Sequence, residues 1–170
     1  MVAAAQGPDP TPRPAGIESL AVPGSTLYQW GTPYLLPGTV ASPELPYLSL
    51  SGTSMAAPVV AGTVALMLQV NPQLTPNEVK AVLQYTAEVN GSADPLTQGA
   101  GFLNAKGAVQ LAKYLAAPAT TSYPNTTGWS RRLIWGNYLV KSGRLTHQAS
   151  AWSTDVVWGA STLPSGAPVE

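Results

Sequence analysis

The chain has 170 residues, no cysteine, and eight basic against eight acidic side chains. Balanced charge gives no electrostatic footprint for nucleic acid, and a chain without cysteine has neither a disulfide scaffold nor a thiolate zinc site. Only 9% of the residues are charged, against roughly 25% in an average soluble domain, while 45% are hydrophobic. This composition suits a part of something larger, or a chain that associates.

The N-terminal segment is rich in proline and glycine and has no periodicity, so we expect a flexible arm over residues 1–15. The segment lacks the basic start and the apolar run of a secretory signal. The longest mostly apolar stretch, Ala56 to Val70, is shorter than the roughly 20 residues of a membrane-spanning helix and contains Pro58. We therefore interpret it as a buried helix and expect no membrane segment.

The next predicted elements lead from a strand to that helix. Residues 16–22 alternate weakly between apolar and polar side chains, which favours a short strand. Prolines and glycines through residues 23–50 predict a long ordered loop, with a short extended piece at 47–50. From Ser54 to Val70 the side chains are small and apolar on every side, and a helix of that kind is typically buried on every side.

Two more helices follow. A capping box from Thr75 to Glu78, with proline at the first helical position, predicts a second helix that runs to about residue 87. After a loop that ends at Gly101, the pattern predicts a third helix over residues 104–115. Its predicted inward side chains are Ala108, Leu111, Ala112 and Leu115.

The last 50 residues hold four of the five tryptophans. After a linker at 120–128, the sequence predicts a β-hairpin that pairs residues 132–140 with 144–147 and has Gly143 in its turn. A further strand is predicted over 152–158. The tryptophans there either pack a small sheet or form an aromatic surface for a partner; they are Trp135, Trp152 and Trp158.

The most specific pattern in the chain is GTSMAAPVVAG at residues 52–62. Gly52 permits close backbone approach, and Ser54 lies where a helix begins. Free N–H groups and the helix dipole favour negative charge at that position. A hydroxyl at that position is a more effective nucleophile, because the oxyanion that forms beside it during the reaction is stabilised. The alternative role for Ser54 is that of a simple helix cap, which serine often fills.

This string resembles the nucleophile motif of the subtilisin-like serine proteases (peptidase S8), G-T-S-M-A-x-P-x-V-x-G, at every fixed position. The resemblance covers about residues 16–115. It implies an α/β, partial subtilisin-like fold that is helix-rich, with a buried central helix starting at Ser54 and a β-hairpin tail. It also implies peptide-bond hydrolysis through an acyl-serine intermediate in intact members, and an extracellular location. We expect no cofactor and no metal.

The catalytic order in that family is Asp, His, Ser along the chain. The 53 residues before Ser54 contain no histidine and no asparagine, and their only aspartate is Asp9, in the arm. The usual base, its orienting acid and the side-chain oxyanion donor are therefore missing upstream. Only the nucleophile and the backbone N–H groups of Thr53 and Ser54 carry over, and the main specificity pocket of the family has no counterpart.

Two catalytic interpretations remain open. In the first, the chain is the C-terminal part of a longer protease and works with a missing N-terminal portion. In the second, it rebuilds a site in which His147, the only imidazole, is the base and Asp155 or Asp94 orients it. A Ser54–His147–Asp155 triad with a weak oxyanion hole favours esters, whose leaving group needs less general-acid help than an amide's. The ordinary alternatives are a surface or packing role for His147 and a structural acceptor role for Asp155.

A third interpretation makes the chain a non-catalytic interaction piece that binds through its Ser54–Val70 helix. That helix needs cover on all sides, so we expect a homo-oligomer or association with the missing portion. The expected ligands are peptide or ester substrates, with neither nucleic acid nor membrane as a partner. The predicted organisation is an arm at 1–15, a subtilisin-like portion at 16–118 and a tryptophan-rich extension at 119–170.

Overall fold

The computed structural model describes residues 2–3, 16–93, 95–135, 138–141 and 143–146. The chain divides into two compact units. The N-terminal unit is Ala5–Val59, and the C-terminal unit combines Met1–Ala4 with Val60–Glu170. Within the predicted arm the described part is the two-residue strand β1 (Val2–Ala3), and residues 1 and 4–15 lie outside the described part.

Three antiparallel strands form the sheet of the N-terminal unit. They are β2 (Ile17–Leu20), β3 (Leu35–Leu36) and β4 (Tyr47–Leu50), in the spatial order β2–β4–β3. In the register, Ile17 lies opposite Leu50 and Leu20 lies opposite Tyr47. The strands predicted within residues 16–22 and at 47–50 are both confirmed.

The prediction of one long loop over residues 23–50 is wrong in part. A short helix α1 (Thr26–Trp30) and a 3-10 turn (Thr32–Tyr34) precede β3. The helix starts because the Ser25 hydroxyl oxygen accepts a hydrogen bond from the Tyr28 N–H at 3.1 Å, which satisfies one of the donors that a first turn leaves open. The loop prediction relied on the prolines and glycines of this segment and did not take the capping residue Ser25 into account.

The long apolar helix is present as α2 (Thr53–Val70), but the prediction that it is buried on all sides is wrong. Of its 18 residues only Thr63 and Met67 are buried, and Leu66 is 50% exposed. The sequence of a helix shows which of its faces are apolar enough to be buried. Burial itself depends on other elements that pack on those faces, and the described residues bury little of α2. By length and composition alone α2 could also cross a membrane, and a single helix of this kind is weak evidence for a membrane span.

The C-terminal unit contains α3 (Pro76–Thr86), the short α4 (Pro95–Gln98) and α5 (Ala105–Ala116). The predicted capping box is confirmed at α3. The Thr75 hydroxyl accepts a hydrogen bond from the Glu78 N–H at 3.2 Å, and the Glu78 carboxylate accepts one from the Thr75 N–H at 3.0 Å. Each of these two hydrogen bonds satisfies a backbone N–H group that would otherwise have no partner at the start of the helix.

The core of the C-terminal unit lies where α3 packs against α5. All four predicted inward residues of α5 are buried. The core side chains are Met67, Leu74, Ala81, Val82, Leu83, Tyr85, Ala108, Leu111, Ala112, Leu115 and Leu145. Asn71, directly after α2, forms hydrogen bonds to this core. Its side-chain N–H donates to the Ala112 carbonyl at 3.2 Å, and its side-chain oxygen accepts a hydrogen bond from the Gln73 N–H at 3.2 Å.

The other strands of this unit are β5 (Gly101–Phe102), β6 (Arg132–Trp135) and β7 (Tyr138–Lys141). β5 pairs in parallel with β1. β6 pairs antiparallel with β7, with Trp135 opposite Tyr138. A hairpin is therefore present, but the predicted pairing of 132–140 with 144–147 about a turn at Gly143 is wrong.

The physical reason is the Gly-Asn pair at 136–137, a typical two-residue hairpin signal that lay inside the single strand predicted over 132–140. Residues 136–137 themselves, and the strand predicted at 152–158, lie outside the described residues. The hairpin is held on α3 by Gln84, whose side-chain oxygen accepts a hydrogen bond from the Ile134 N–H at 2.7 Å.

Candidate active site

The N-terminus of α2 presents Ser54 to solvent. Gly52 precedes the helix with a φ of +146°, a conformation that side-chain-bearing residues rarely adopt. Its carbonyl accepts hydrogen bonds from the N–H groups of Met55 and Ala56, each at 3.1 Å. Within the described chain, the N–H groups of Thr53 and Ser54 form no hydrogen bond. Two donors at the positive end of the helix dipole are therefore free beside the Ser54 hydroxyl.

A groove of about 430 Å³ adjoins Ser54 within the N-terminal unit. The first two turns of α2, the strands β2 and β4, and Leu27 of α1 contribute its lining. Of the lining side chains that the structure describes, most are aliphatic and Glu18 alone is charged. A substrate carbonyl at Ser54 would thus have an apolar surface next to it.

The structure describes two of the residues predicted for the site, Thr53 and Ser54. His147 and Asp155, together with the alternative Asp94, lie outside the described residues. The rebuilt triad therefore stays a prediction. In the described ranges, no three His, Cys, Asp or Glu side chains form a group that could hold a metal ion.

A second cavity, of about 590 Å³, lies in the C-terminal unit. It is formed by α5 and residues 121–129, and its lining is largely polar, with Lys106, Lys113 and Trp129 among it. Thr53 and Ser54, the two predicted site residues that the structure describes, do not line this cavity. The groove beside Ser54 is therefore the cavity that concerns the proposed chemistry.

An aromatic cluster that sequence reasoning missed holds the chain after α5 onto α3. The Tyr85 hydroxyl donates to the Gly143 carbonyl at 2.6 Å, and the Tyr123 hydroxyl donates to the Tyr85 oxygen at 3.3 Å. Trp129 meets Tyr85 edge to face, with ring centroids 6.0 Å apart. Burial raises the pKa of Tyr123 above its usual range, and the hydrogen bond to Tyr85 adds to this. These contacts lie between residues 38 to 58 positions apart in the chain, beyond the reach of a local pattern.

An exposed serine at a helix start, beside free N–H donors, is an arrangement that suits a hydrolase nucleophile. Comparison with known sequences gives the family. Residues 12–131, more than half of the chain, match the Subtilase family, Peptidase_S8. The chain belongs to this family of serine proteases, and the resemblance drawn from residues 52–62 is confirmed.

Several curated relatives match parts of the chain. Serine protease AprX of Bacillus subtilis is 49% identical over 63 residues, which is 37% of this chain and 14% of AprX. An extracellular protease of Xanthomonas campestris is 40% identical over 94 residues, 55% of this chain and 16% of that protein. Subtilisin DY of Bacillus licheniformis is 43% identical over 68 residues, 40% of this chain and 24% of the subtilisin. The matches thus span a quarter or less of these relatives, and no solved structure matches.

Proposed function

We propose that this chain is a serine hydrolase that uses Ser54 as its nucleophile. The observation that carries the proposal is the exposed position of Ser54 at the start of α2, beside the free N–H groups of Thr53 and Ser54. The family to which the chain belongs supports hydrolysis by a serine nucleophile. In the intact family the substrate is a peptide bond.

The proposed reaction begins when the Ser54 oxygen attacks the substrate carbonyl carbon and its proton passes to a base, which later gives it to the leaving group. The carbonyl oxygen becomes an oxyanion, which accepts hydrogen bonds from the free N–H groups at the helix start. The intermediate then collapses, the bond to the leaving group breaks, and an acyl-serine remains. Water attacks this acyl-enzyme, releases the carboxylic acid and restores the Ser54 hydroxyl.

For this chain alone we propose ester hydrolysis, with His147 as the base and Asp155 as its orienting acid. His147 is the only imidazole in the chain, and imidazole is the ordinary base at neutral pH. An ester expels an alkoxide or phenoxide and depends less on a general acid than an amide does. Cleavage of p-nitrophenyl esters without cleavage of casein, lost in His147→Ala, would support this site. Cleavage of casein by the chain alone would contradict it.

A proposal of association rests on exposed apolar side chains. Trp30 is 80% exposed and Val40 is 79% exposed, and much of the apolar surface of α2 is open as well. Where such side chains lie together, they are characteristic of a surface that meets a partner. We propose that a second copy, or an N-terminal subtilase portion, covers it. A monomer at every concentration, measured by size-exclusion chromatography with light scattering, would contradict the homo-oligomer.

The third candidate, a non-catalytic interaction piece, is favoured by the same exposed surface and makes the opposite prediction for Ser54. A serine-directed phosphonate would leave Ser54 unlabelled while the chain still associates. An extracellular location is proposed from the family, of which the Xanthomonas campestris relative is named an extracellular protease.

A further inference from the structure

We propose that the groove beside Ser54 binds the aliphatic acyl chain of a neutral carboxylic ester. The inference rests on the proposed role of Ser54 and adds the substrate class. Four residues at the start of α2 line the groove: Ser54, Met55, Pro58 and Val59. Their spacing, i, i+1, i+4 and i+5, places them on one side of a helix. The serine and the apolar lining therefore share one face of α2.

The chemistry of the lining identifies an apolar occupant. Across from α2 the groove is bordered by the leucines of β2 and β4 and by Leu27. Leu20 is 76% exposed and Leu27 is 54% exposed, so their apolar surface is still in contact with water. An acyl chain in the groove would remove that surface from water, and each methylene it buries contributes to binding. The volume of about 430 Å³ lies within the range of pockets that hold small organic ligands.

Charge favours a neutral ester over an acid. Among the described residues that line the groove, Glu18 is the only charged one. Its carboxylate repels an anionic ligand and tolerates an uncharged one. The substrate ester is neutral, whereas the acid released by hydrolysis is an anion at neutral pH. The same groove therefore accepts the substrate and favours departure of the product.

The reaction balances without a co-reactant other than water. The Ser54 oxygen forms a bond to the acyl carbon, its proton passes to the base, and the bond from the acyl carbon to the alcohol oxygen breaks. The base returns that proton to the leaving alcohol. Water then hydrolyses the acyl-serine to the acid, with the aliphatic chain in the groove during both steps.

The first test is a series of p-nitrophenyl esters from acetyl to octanoyl, in which the leaving group stays constant. We expect kcat/KM to rise about threefold to fourfold per methylene until the groove is filled, from the transfer free energy of one methylene. In the double variant Leu20→Ser with Leu27→Ser the rise per methylene should largely disappear. Val40→Ser is the control for loss of an exposed apolar side chain elsewhere, since Val40 is 79% exposed and does not line the groove. No rise with chain length, or an equal rise in the double variant, overturns the proposal.

A second test separates this proposal from the role of Ser54. Binding of 1-octanol and 1-butanol to Ser54→Ala is measured by titration calorimetry, with no chemistry involved. Octanol should bind at least tenfold more tightly than butanol, and Leu20→Ser with Leu27→Ser in that background should remove the preference. If Ser54 resists a phosphonate but octanol is preferred, the nucleophile fails and the acyl-chain site stands. If Ser54 is labelled and octanol is not preferred, the acyl-chain site fails.

Discussion

Replacement of Gly101 by alanine should destabilise the C-terminal unit strongly, for two reasons that the structure separates. Gly101 has a φ of +133°, which alanine rarely adopts. An added Cβ would also lie 2.5 Å from the Glu88 carbonyl oxygen and 3.3 Å from the Ala87 Cβ. Glu88 cannot simply withdraw, because it exchanges two backbone hydrogen bonds with Phe102, at 2.8 and 2.9 Å.

The expected loss is about 3 kcal/mol in the free energy of unfolding. Backbone strain of this kind costs about 1–3 kcal/mol, and each hydrogen bond lost as the backbones separate costs about 1 kcal/mol more. Urea denaturation followed by circular dichroism measures this loss in the free energy of unfolding. Gly128→Ala is the control for strain alone, since its φ is +83° and no atom of the described residues lies within 4 Å of the added Cβ. Gly91→Ala, with open space and no positive φ, is the neutral control. A loss for Gly101→Ala no larger than that of Gly128→Ala would refute the steric reasoning.

Three other predictions concern single residues. Thr75→Ala should cost about 1 kcal/mol in urea denaturation because it opens the capping box, while Thr75→Ser should restore most of it. Tyr123 has a raised pKa in the folded chain, so its contribution to stability is intact below its ordinary value of 10.0 and declines as the pH rises above it. Tyr123→Phe should therefore show a shallower alkaline fall in melting temperature; an unchanged fall would contradict this. Gly52→Ala strains the backbone two residues before Ser54 and should slow phosphonate labelling of that serine about tenfold or more, with an equal labelling rate counting against the proposed site.

Local chemistry made several elements predictable from the sequence. The Thr75–Glu78 pair is a complete start signal for α3, because both partners lie within one turn. The apolar period over residues 104–115 likewise identified the buried face of α5. The motif at residues 52–62 gave both the helix and its serine, and the family match confirms the resemblance.

Features that depend on distant residues were not predictable in the same way. The pairing within the hairpin depends on residues in two strands, and the prediction of a single strand over 132–140 passed over the Gly-Asn pair inside it. The exposure of α2 depends on what the rest of the chain supplies as cover. The groove beside Ser54 arises only where β2, β4 and α1 meet the start of α2, so no single segment encodes it.

Phosphonate labelling shows directly whether Ser54 is an activated nucleophile. The chain is incubated with a fluorophosphonate at neutral pH, and the modified peptide is located by mass spectrometry. Ser51→Ala is a matched control, because Ser51 is another exposed serine three residues away. We expect an adduct on Ser54 that persists in Ser51→Ala and is absent in Ser54→Ala. No adduct on Ser54, or equal labelling of other exposed serines, would contradict it.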